Sequence, residues 1–266
     1  MPIEDISLTV KKGMNMINDN LLSRSKFLNA LPYPNIVVDN LFDNALLEEI
    51  RKNFPKKDEL KWWKYDNYFE KKLAYNNIQD LHPCFAKYFN LVNSMSFVRK
   101  IAEMADIENL IADPSLYGGG LHMIEKGGKL DIHADFNYHR VTGWKRKLNM
   151  ITFLNKDWDP GYGGNIELWE RDMSKCSRSV LPVFNRTIIF YVDDTAYHGH
   201  PDPLNCPSEI YRKSLATYYY TFHKDSLDDM TYRSTDYRKR PGEKTSKDIE
   251  HLREKRRLGR IKDSTT

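Results

Sequence analysis

Residues 131–139 read DIHADFNYH, and this stretch decides the fold because it places His133 and Asp135 two positions apart. Side chains at positions i and i+2 of an extended strand lie on one face, so this imidazole and carboxylate can bind one metal ion together. A His-x-Asp pair alone is weak evidence, since about 0.7 such pairs are expected by chance at this composition. A second pair, His200 with Asp202, lies in a proline-rich segment that predicts a loop. The metal site therefore depends on a third ligand further along the chain.

That third ligand is predicted in residues 187–204, TIIFYVDDTAYHGHPDPL, where a β-branched and aromatic run predicts a strand. His198 comes first after the strand, whereas Pro201 biases His200 toward a loop that leads away. We therefore predict His198 as the ligand. If the strand continues instead, both rings lie on one face, and His200 is then an additional hydrogen-bond donor or the ligand itself. Two histidines and one carboxylate form the facial triad of non-haem iron(II) sites.

An anion site is predicted in residues 211–221, YRKSLATYYYT, which read as a further strand. The alternation of side chains places Arg212 and Ser214 on one face and Lys213 on the other. A guanidinium beside a hydroxyl group can bind a carboxylate end-on, and a buried carboxylate site needs a permanent cation. We therefore predict that Arg212 and Ser214 bind a dicarboxylate.

The order of these features resembles the iron(II)- and 2-oxoglutarate-dependent oxygenases, specifically their prolyl 4-hydroxylase-like branch. It consists of a His-x-Asp strand, a GYGG turn, a distal histidine and an Arg-x-Ser strand. The segments that carry the resemblance are GGKLDIHADFN (127–137), RKLNMITFLNKDWDPGYGGNIELW (146–169), FYVDDTAYHGHPDPL (190–204) and YRKSLATYYYT (211–221). The stretch that begins with PYPNIVVDNLF (32–42) resembles the family more loosely.

The resemblance implies that iron(II) is held by His133, Asp135 and His198, and that 2-oxoglutarate pairs its distal carboxylate with Arg212 and Ser214. It also implies O2 as the second cosubstrate and admits ascorbate as a reductant. The implied reaction is hydroxylation of an unactivated substrate carbon, coupled to the formation of succinate. A prolyl residue of a peptide is the favoured substrate; free amino acids, sugars and other small metabolites are the alternatives.

One position departs from the family pattern. Relatives in this branch often place a tyrosine at the position of Phe153, and that tyrosine hydrogen-bonds the cosubstrate. Asn149 lies on the same strand face and is a candidate for the replacement donor. An inward polar residue that is satisfied by water is an equal alternative. The predicted cosubstrate pocket is therefore Arg212, Ser214 and Asn149.

The predicted fold class is β-rich α+β, with a double-stranded β-helix (jelly-roll) core braced by N-terminal helices. Residues 1–30 are predicted as an N-terminal extension and residues 31–222 as one oxygenase domain. Apolar residues at helical spacing predict helical support over residues 43–105, and strand-and-turn patterns predict the jelly-roll core over residues 115–222. Residues 223–266 are predicted as a basic C-terminal tail.

Basic charge is concentrated in this tail. Residues 233–262 hold twelve Lys and Arg against five Asp and Glu, a net charge of +7, so the remainder of the chain carries −3. No nucleic-acid-binding motif accompanies the basic segment and the body is not basic, so nucleic acid is not the predicted partner. We predict a solvated, partly helical tail that can be deleted after about Arg240 without loss of turnover.

The remaining features concern location and rival functions. Acidic residues and the absence of an apolar run near the N-terminus predict neither a signal peptide nor a membrane span. Cys84, Cys176 and Cys206 are widely spaced and predict reduced thiols, so a cytoplasmic location is expected. Two rival classes stay open. One is a cupin-like metal-binding protein or a non-oxygenase small-molecule enzyme, and the other is a silent oxygenase fold that binds partners through its tail.

Overall fold

The computed structural model describes residues 16–222 and 232–258. Its helices are α1 (Arg24–Leu28), α2 (Asn44–Lys52), α3 (Pro83–Val92), α4 (Met95–Ala105) and α5 (Lys247–Arg257). Its strands are β1 (Asn35–Asp39), β2 (Trp63–Asp66), β3 (Glu70–Tyr75), β4 (Leu110–Ala112), β5 (Gly120–Ile124), β6 (Lys129–Ala134), β7 (Lys145–Phe153), β8 (Ile166–Trp169), β9 (Cys176–Val180), β10 (Arg186–Tyr191), β11 (His198–His200), β12 (Arg212–Thr221) and β13 (Asp236–Tyr237). Short 3-10 turns lie at Asp19–Leu21, Ile78–Asp80 and Pro160–Tyr162.

The strands form one antiparallel sheet that curls on itself. Its order is β1-β10-β7-β12-β5-β3-β6-β11-β8-β9, with β13 attached to β6, β2 to β3 and β4 to β12. Strands that follow one another in the chain are separated in the sheet: β3 lies between β5 and β6, and β10 and β11 lie far apart. Such crossovers are those of a jelly roll, in which two facing layers enclose a cavity. The predicted double-stranded β-helix is thus confirmed.

Helices α2, α3 and α4 cover the outer face of the sheet. Asp43 caps α2 by accepting a hydrogen bond from the Leu46 amide at 2.9 Å, as expected for an N-cap aspartate. The apolar face of α2 buries Leu47 and Ile50 in the main hydrophobic core. Tyr88 of α3 donates a hydrogen bond to Thr152 of β7 at 2.8 Å, which ties the helical layer to a central strand. This layer leaves the opposite side of the sheet free to line a cavity.

Two parts of the predicted domain division differ in the structure. Residues 43–105 contain β2 and β3 besides the helices, and β3 is a full member of the sheet between β5 and β6. Of the predicted extension, residues 1–15 lie outside the described residues. The rest packs on the domain, because Phe27 of α1 is fully buried in the main core and Ile17 forms a bridge with Phe42. The boundary at residue 30 stays a prediction.

The expectation of a solvated C-terminal tail is wrong for residues 232–258. Strand β13 pairs with β6, where Tyr237 lies opposite His133. The Arg256 guanidinium lies 5.8 Å from the centre of the Phe69 ring and 5.4 Å from that of Tyr237. Arg253 lies 5.6 Å from the Phe69 ring, and both arginines are buried. The charge of this segment gave no indication of the packing, because the contacts are made by guanidinium groups over aromatic rings.

Deletion of the chain after Arg240 is therefore expected to lower the free energy of unfolding by about 2 kcal/mol, since each buried cation–π contact contributes roughly 0.5 to 2 kcal/mol. The deletion also removes Arg256, whose carbonyl accepts a hydrogen bond from Ser234 at 2.8 Å. Urea unfolding of the shortened and full-length chains measures the difference. Deletion after Leu258, which leaves α5 in place, is the matched control. Equal stability of all three chains would restore the original expectation.

None of the helices in the described ranges is both long enough and apolar enough to cross a bilayer.

Candidate active site

The structure brings His133, Asp135 and His198 together in the wall of one cavity. His133 lies on β6 and Asp135 directly follows that strand, as period-2 alternation requires. His198 begins β11 and is the cross-strand partner of His133. The Nε2 atom of His133 lies 3.6 Å from one Asp135 oxygen, and that of His198 lies 3.3 Å from the other. All three side chains are buried, and their ligand atoms lie within 4.8 Å of one another.

The orientation of both rings fits a divalent metal ion. His133 Nδ1 donates to the Asp131 carbonyl at 2.8 Å, and His198 Nδ1 donates to the Ala196 carbonyl at 3.0 Å. A carbonyl can only accept, so the proton of each neutral ring is on Nδ1 and the lone pair of Nε2 points at Asp135. A metal-binding histidine usually makes this second hydrogen bond, which fixes its tautomer and its direction. Two imidazole nitrogens and one carboxylate are the donor set of a non-haem iron(II) centre.

The protonation states also suit a metal site. Burial raises the pKa of the Asp135 carboxyl, but Arg146 and His198 outweigh this effect and hold the pKa well below its usual range. The pKa of His133 is lowered, chiefly by burial and then by repulsion from His198. A charged carboxylate and a neutral imidazole are the forms that bind a cation, since bound protons compete with the metal.

Arg146 holds Asp135 in place and was not predicted. Its guanidinium lies 3.2 Å from an Asp135 oxygen and packs between two rings, 4.5 Å from the centre of Phe136 and 3.5 Å from that of Tyr218. Simple alternation puts Arg146 and Asn149 on opposite faces of β7. The structure has a bulge there, since Tyr219 pairs with Leu148 and Tyr220 pairs with Arg146. The extra residue reverses the alternation and turns Arg146 inward.

Asn149 lines the cavity, but its amide is engaged beside the metal ligands. Its Nδ2 donates to Asp135 Oδ2 at 2.7 Å, and its Oδ1 accepts from Arg146 Nε at 2.9 Å. These two bonds orient the carboxylate. The predicted role of Asn149 as a cosubstrate donor stays a prediction, beside this positioning role.

Replacing Asn149 with alanine is expected to weaken metal binding by about 10- to 100-fold, the usual effect of removing a partner that orients a ligand. Titration with Co(II), followed by its visible absorption, measures the affinity. Asn165→Ala is the matched control, because that amide contacts Ser179 on an exposed surface. Unchanged metal affinity with weaker binding of 2-oxoglutarate would favour the role as cosubstrate donor.

Arg212 lies in the cavity as a buried cation without a counter-ion. It is 4% exposed, and no carboxylate within the described residues forms an ion pair with it. Its Nε donates to the Gly164 carbonyl at 2.7 Å, and its guanidinium lies 5.0 Å from the centre of the Phe153 ring. Burial lowers the pKa of Arg212 to about 9, which is the signature of an uncompensated charge. An anion that enters the cavity meets this cation and the fully buried Ser214.

The GYGG turn makes room for this arginine. Gly164 has a φ of +74°, and a Cβ there would lie 2.9 Å from Arg212 Cδ. A larger residue would therefore displace the guanidinium. Lys213 points to the other side of the strand, where its Nζ lies 4.9 Å from the centre of the Phe54 ring. The predicted alternation of β12 is thus the one that the structure shows.

His200 does not turn away from the site, and that part of the interpretation is wrong. Strand β11 continues through His200, which pairs with Leu130 of β6 after a shift in register. The ring is buried and lines the same cavity as Arg212. Its pKa is held well below the ordinary value, first by burial and then by Arg212 and Lys72. His122 of β5 and Lys72 of β3 line the cavity as well and were not predicted in it.

An aromatic cleft opens outward from the metal site. Its aromatic walls are Tyr65, Tyr117, Phe136, Tyr218 and Tyr237, and the last of these comes from the C-terminal segment. Beyond Tyr65 and Tyr117 the cleft adjoins a second depression that includes Trp63 and Tyr75. In the structure Trp63 is half exposed and Tyr65 lines the cleft.

A buried ion pair lies at the floor of this cleft. Lys72 Nζ lies 3.1 Å from Glu70, and the Tyr237 hydroxyl donates a hydrogen bond to the same carboxylate. Burial raises the pKa of Glu70, but Lys72 and Tyr237 outweigh it and the pKa is lowered overall. The charge of Lys72 is therefore balanced locally, as is that of Arg146 by Asp135. A Glu and a Lys two residues apart are common in sequences, so this spacing does not predict a buried ion pair.

Comparison with known proteins agrees with this geometry. Residues 119–221 match the family model described as the 2OG-Fe(II) oxygenase superfamily. The matched segment contains the triad, Arg212 and Ser214, and the cofactors of that superfamily are iron(II), 2-oxoglutarate and O2. No curated protein matches the sequence.

Several solved structures share the fold. A prolyl 4-hydroxylase from Pseudomonas putida superposes with a TM-score of 0.54 at 12% identity, covering 75% of this chain and 99% of the other. A prolyl hydroxylase from Trichoplax adhaerens, in complex with a hypoxia inducible factor peptide, has a TM-score of 0.53 at 14% identity, covering 80% and 92%. A prolyl 4-hydroxylase from Phytophthora capsici has a TM-score of 0.52 at 20% identity, covering 91% and 76%. At these identities the likeness establishes the fold.

Proposed function

We propose that this iron(II)- and 2-oxoglutarate-dependent dioxygenase hydroxylates a prolyl residue of a peptide. The observation that carries the proposal is one cavity that contains two chemically distinct groups. His133, Asp135 and His198 could hold a metal ion there, and Arg212 is a buried cation without a counter-ion among the described residues. A dicarboxylate that binds the metal ion and also pairs with Arg212 would use both groups.

We assign separate roles in the reaction to the metal-binding and the cosubstrate-binding residues. In our assignment His133, Asp135 and His198 hold iron(II), which supplies oxidation by O2: one oxygen atom enters the substrate C–H bond, and the other enters succinate as 2-oxoglutarate loses CO2. Arg212 and Ser214 bind the distal carboxylate of 2-oxoglutarate and thereby fix its position. The protein contributes placement, electrostatics and the exclusion of water from a buried cavity.

The cleft supports a peptidyl substrate over a charged metabolite. Its charged groups are paired locally, Lys72 with Glu70 and Arg146 with Asp135, so the cleft offers little net charge to a small ion. Aromatic walls suit the compact apolar ring of proline and the extended backbone around it. The Trichoplax adhaerens structure holds a peptide on the same fold. Free amino acids, sugars and other metabolites remain the alternative substrates.

The test is aerobic formation of succinate from 2-oxoglutarate with added iron(II). We expect a low rate without substrate, and a higher rate with proline-containing peptides than with matched peptides in which alanine replaces proline. Mass spectrometry should detect one added oxygen atom on the proline. Succinate formation that no proline peptide stimulates would rule out the peptidyl substrate but not the reaction class. A requirement for ascorbate can be measured in the same assay.

We also propose a cytoplasmic location and no nucleic-acid partner for this protein. Cys84, Cys176 and Cys206 are free thiols in the structure, which agrees with the proposed cytoplasmic location. Several cations of the C-terminal segment contact acidic groups of the same chain, among them Arg233 with Asp194. This pairing favours an intramolecular role over nucleic-acid binding. The match to the oxygenase family model favours an oxygenase over the cupin-like alternative, and the succinate assay distinguishes an active oxygenase from a silent fold.

A further inference from the structure

His200 is buried in the cavity without a hydrogen-bond partner. The residue is 4% exposed, and neither of its ring nitrogens is bonded within residues 16–222 and 232–258. The two histidines of the metal site differ, because His133 and His198 each donate Nδ1 to a backbone carbonyl. Buried polar groups nearly always have a partner, since an unpaired one is costly. The ring is therefore available to a ligand that enters the cavity.

The position of His200 fits one ligand in particular. It follows His198 by two residues on β11 and lines the same cavity as Arg212 and Ser214. The ring therefore shares this cavity with the candidate metal ligands and with the Arg212 guanidinium. Phe153, which packs under Arg212, has no hydroxyl group to donate there.

We propose that His200 donates a hydrogen bond to 2-oxoglutarate in this cavity. The proposal rests on the function assigned above to the triad and to Arg212. An imidazole offers at least one N–H in either protonation state, so the bond does not depend on its charge. Because both ring nitrogens are free, either tautomer can form without the loss of an existing bond.

His122 offers a matched comparison in the same cavity. One of its ring nitrogens already donates to the Gly118 backbone, and Nε2 is left without a partner. In this tautomer Nε2 carries a lone pair and cannot donate to a carboxylate. Burial and the nearby Lys72 lower the pKa of His122 to about 3, which keeps the ring neutral. The structure therefore assigns the donor role to His200 and not to His122.

The experiment measures cosubstrate binding without turnover. The full-length protein is loaded with iron(II) under anaerobic conditions, and 2-oxoglutarate is titrated while the metal-to-cosubstrate charge-transfer absorption is followed. His200→Leu is expected to weaken 2-oxoglutarate binding at least about tenfold, as loss of a hydrogen bond to a charged group does. His200→Gln retains an N–H donor and should stay within about threefold of the wild type, as should His122→Leu.

Co(II) titration of each variant separates effects on the cosubstrate from effects on the metal. The proposal is supported if all variants bind Co(II) with the affinity of the wild type and if only His200→Leu loses affinity for 2-oxoglutarate. It is overturned if His200→Leu binds 2-oxoglutarate as the wild type does, if His122→Leu loses as much affinity, or if His200→Leu loses Co(II) binding itself. Absence of the absorption band in the wild-type protein would instead refute the proposed function on which the inference rests.

Discussion

Replacement of His198 or Asp135 by alanine is expected to reduce succinate formation to the level of iron(II) in buffer and to abolish high-affinity metal binding. Each side chain presents one ligand atom to the same point, and those atoms lie within 4.8 Å of one another. A non-haem iron site has three protein ligands. After the loss of one, the two remaining ligands bind the metal too weakly to compete with its hydration by solvent. Co(II) titration and the decarboxylation assay measure the two effects.

The two variants differ in their effect on folding, and the difference is informative. Asp135→Ala leaves Arg146 buried without its carboxylate, and an uncompensated buried charge costs about 3 to 5 kcal/mol. His198→Ala leaves the pair of Asp135 with Arg146 intact and should fold as the wild type does. We therefore expect circular dichroism to show a lower melting temperature for Asp135→Ala alone.

His200→Ala is the matched control for His198, since the two rings lie two residues apart on one strand. At saturating 2-oxoglutarate it should keep most of the anaerobic charge-transfer absorption, which His198→Ala should lose. The reverse ranking would mean that His200 is the ligand. Wild-type turnover in Asp135→Ala would refute the metal site altogether.

The residues that could be predicted are those whose positions follow from strand alternation. His133 and Asp135 share a face because they are two apart on an extended segment, and the same rule separates Arg212 from Lys213. The meeting of His198 with His133 depends on strand pairing, which no local pattern encodes. The ordered series of motifs supplied that information, because it resembles a family in which the pairing is known.

Arg146 shows why local sequence patterns did not predict the other residues of the site. Its inward direction depends on a bulge of β7 opposite Tyr219 and Tyr220, and nothing in the sequence RKLNM marks that bulge. Strand β3 was not predicted from the sequence for a related reason. Three of its six residues are charged, and the sheet accepts Glu70 and Lys72 because they pair with one another in the cleft.

The C-terminal segment was predicted as solvated because of its charge, but it packs on the domain through its arginines. Ile249, Leu252 and Leu258 do not form a stripe, whereas Arg253 and Arg256 cover Phe69 and Tyr237. An arginine buries its aliphatic stem and its flat guanidinium face while it retains its charge. Counting charges therefore predicted that these arginines are solvated, although they pack against aromatic rings. One consequence for function is that Tyr237 of this segment forms a wall of the aromatic cleft.

Arg212→Ala is expected to weaken 2-oxoglutarate binding far more than Lys213→Ala does. Arg212 is 4% exposed and has no counter-ion among the described residues, so a carboxylate that reaches it forms a charge-assisted pair away from water. Such a pair contributes about 2 to 4 kcal/mol, which corresponds to roughly 30-fold to several hundred-fold in affinity. Lys213 contacts Phe54 on the other side of the strand and should change the affinity less than about threefold.

The anaerobic titration with iron(II) gives both dissociation constants, and Co(II) titration shows whether the metal site is intact. Arg212→Lys is a useful third variant, because a lysine keeps the charge but cannot offer two parallel N–H groups to one carboxylate. It should therefore bind 2-oxoglutarate with an affinity between those of the wild type and Arg212→Ala. Equal losses in Arg212→Ala and Lys213→Ala would mean that the cosubstrate approaches β12 from the opposite face. Unchanged affinity in Arg212→Ala would show that another cation of the cavity, with Lys72 first among them, binds the distal carboxylate.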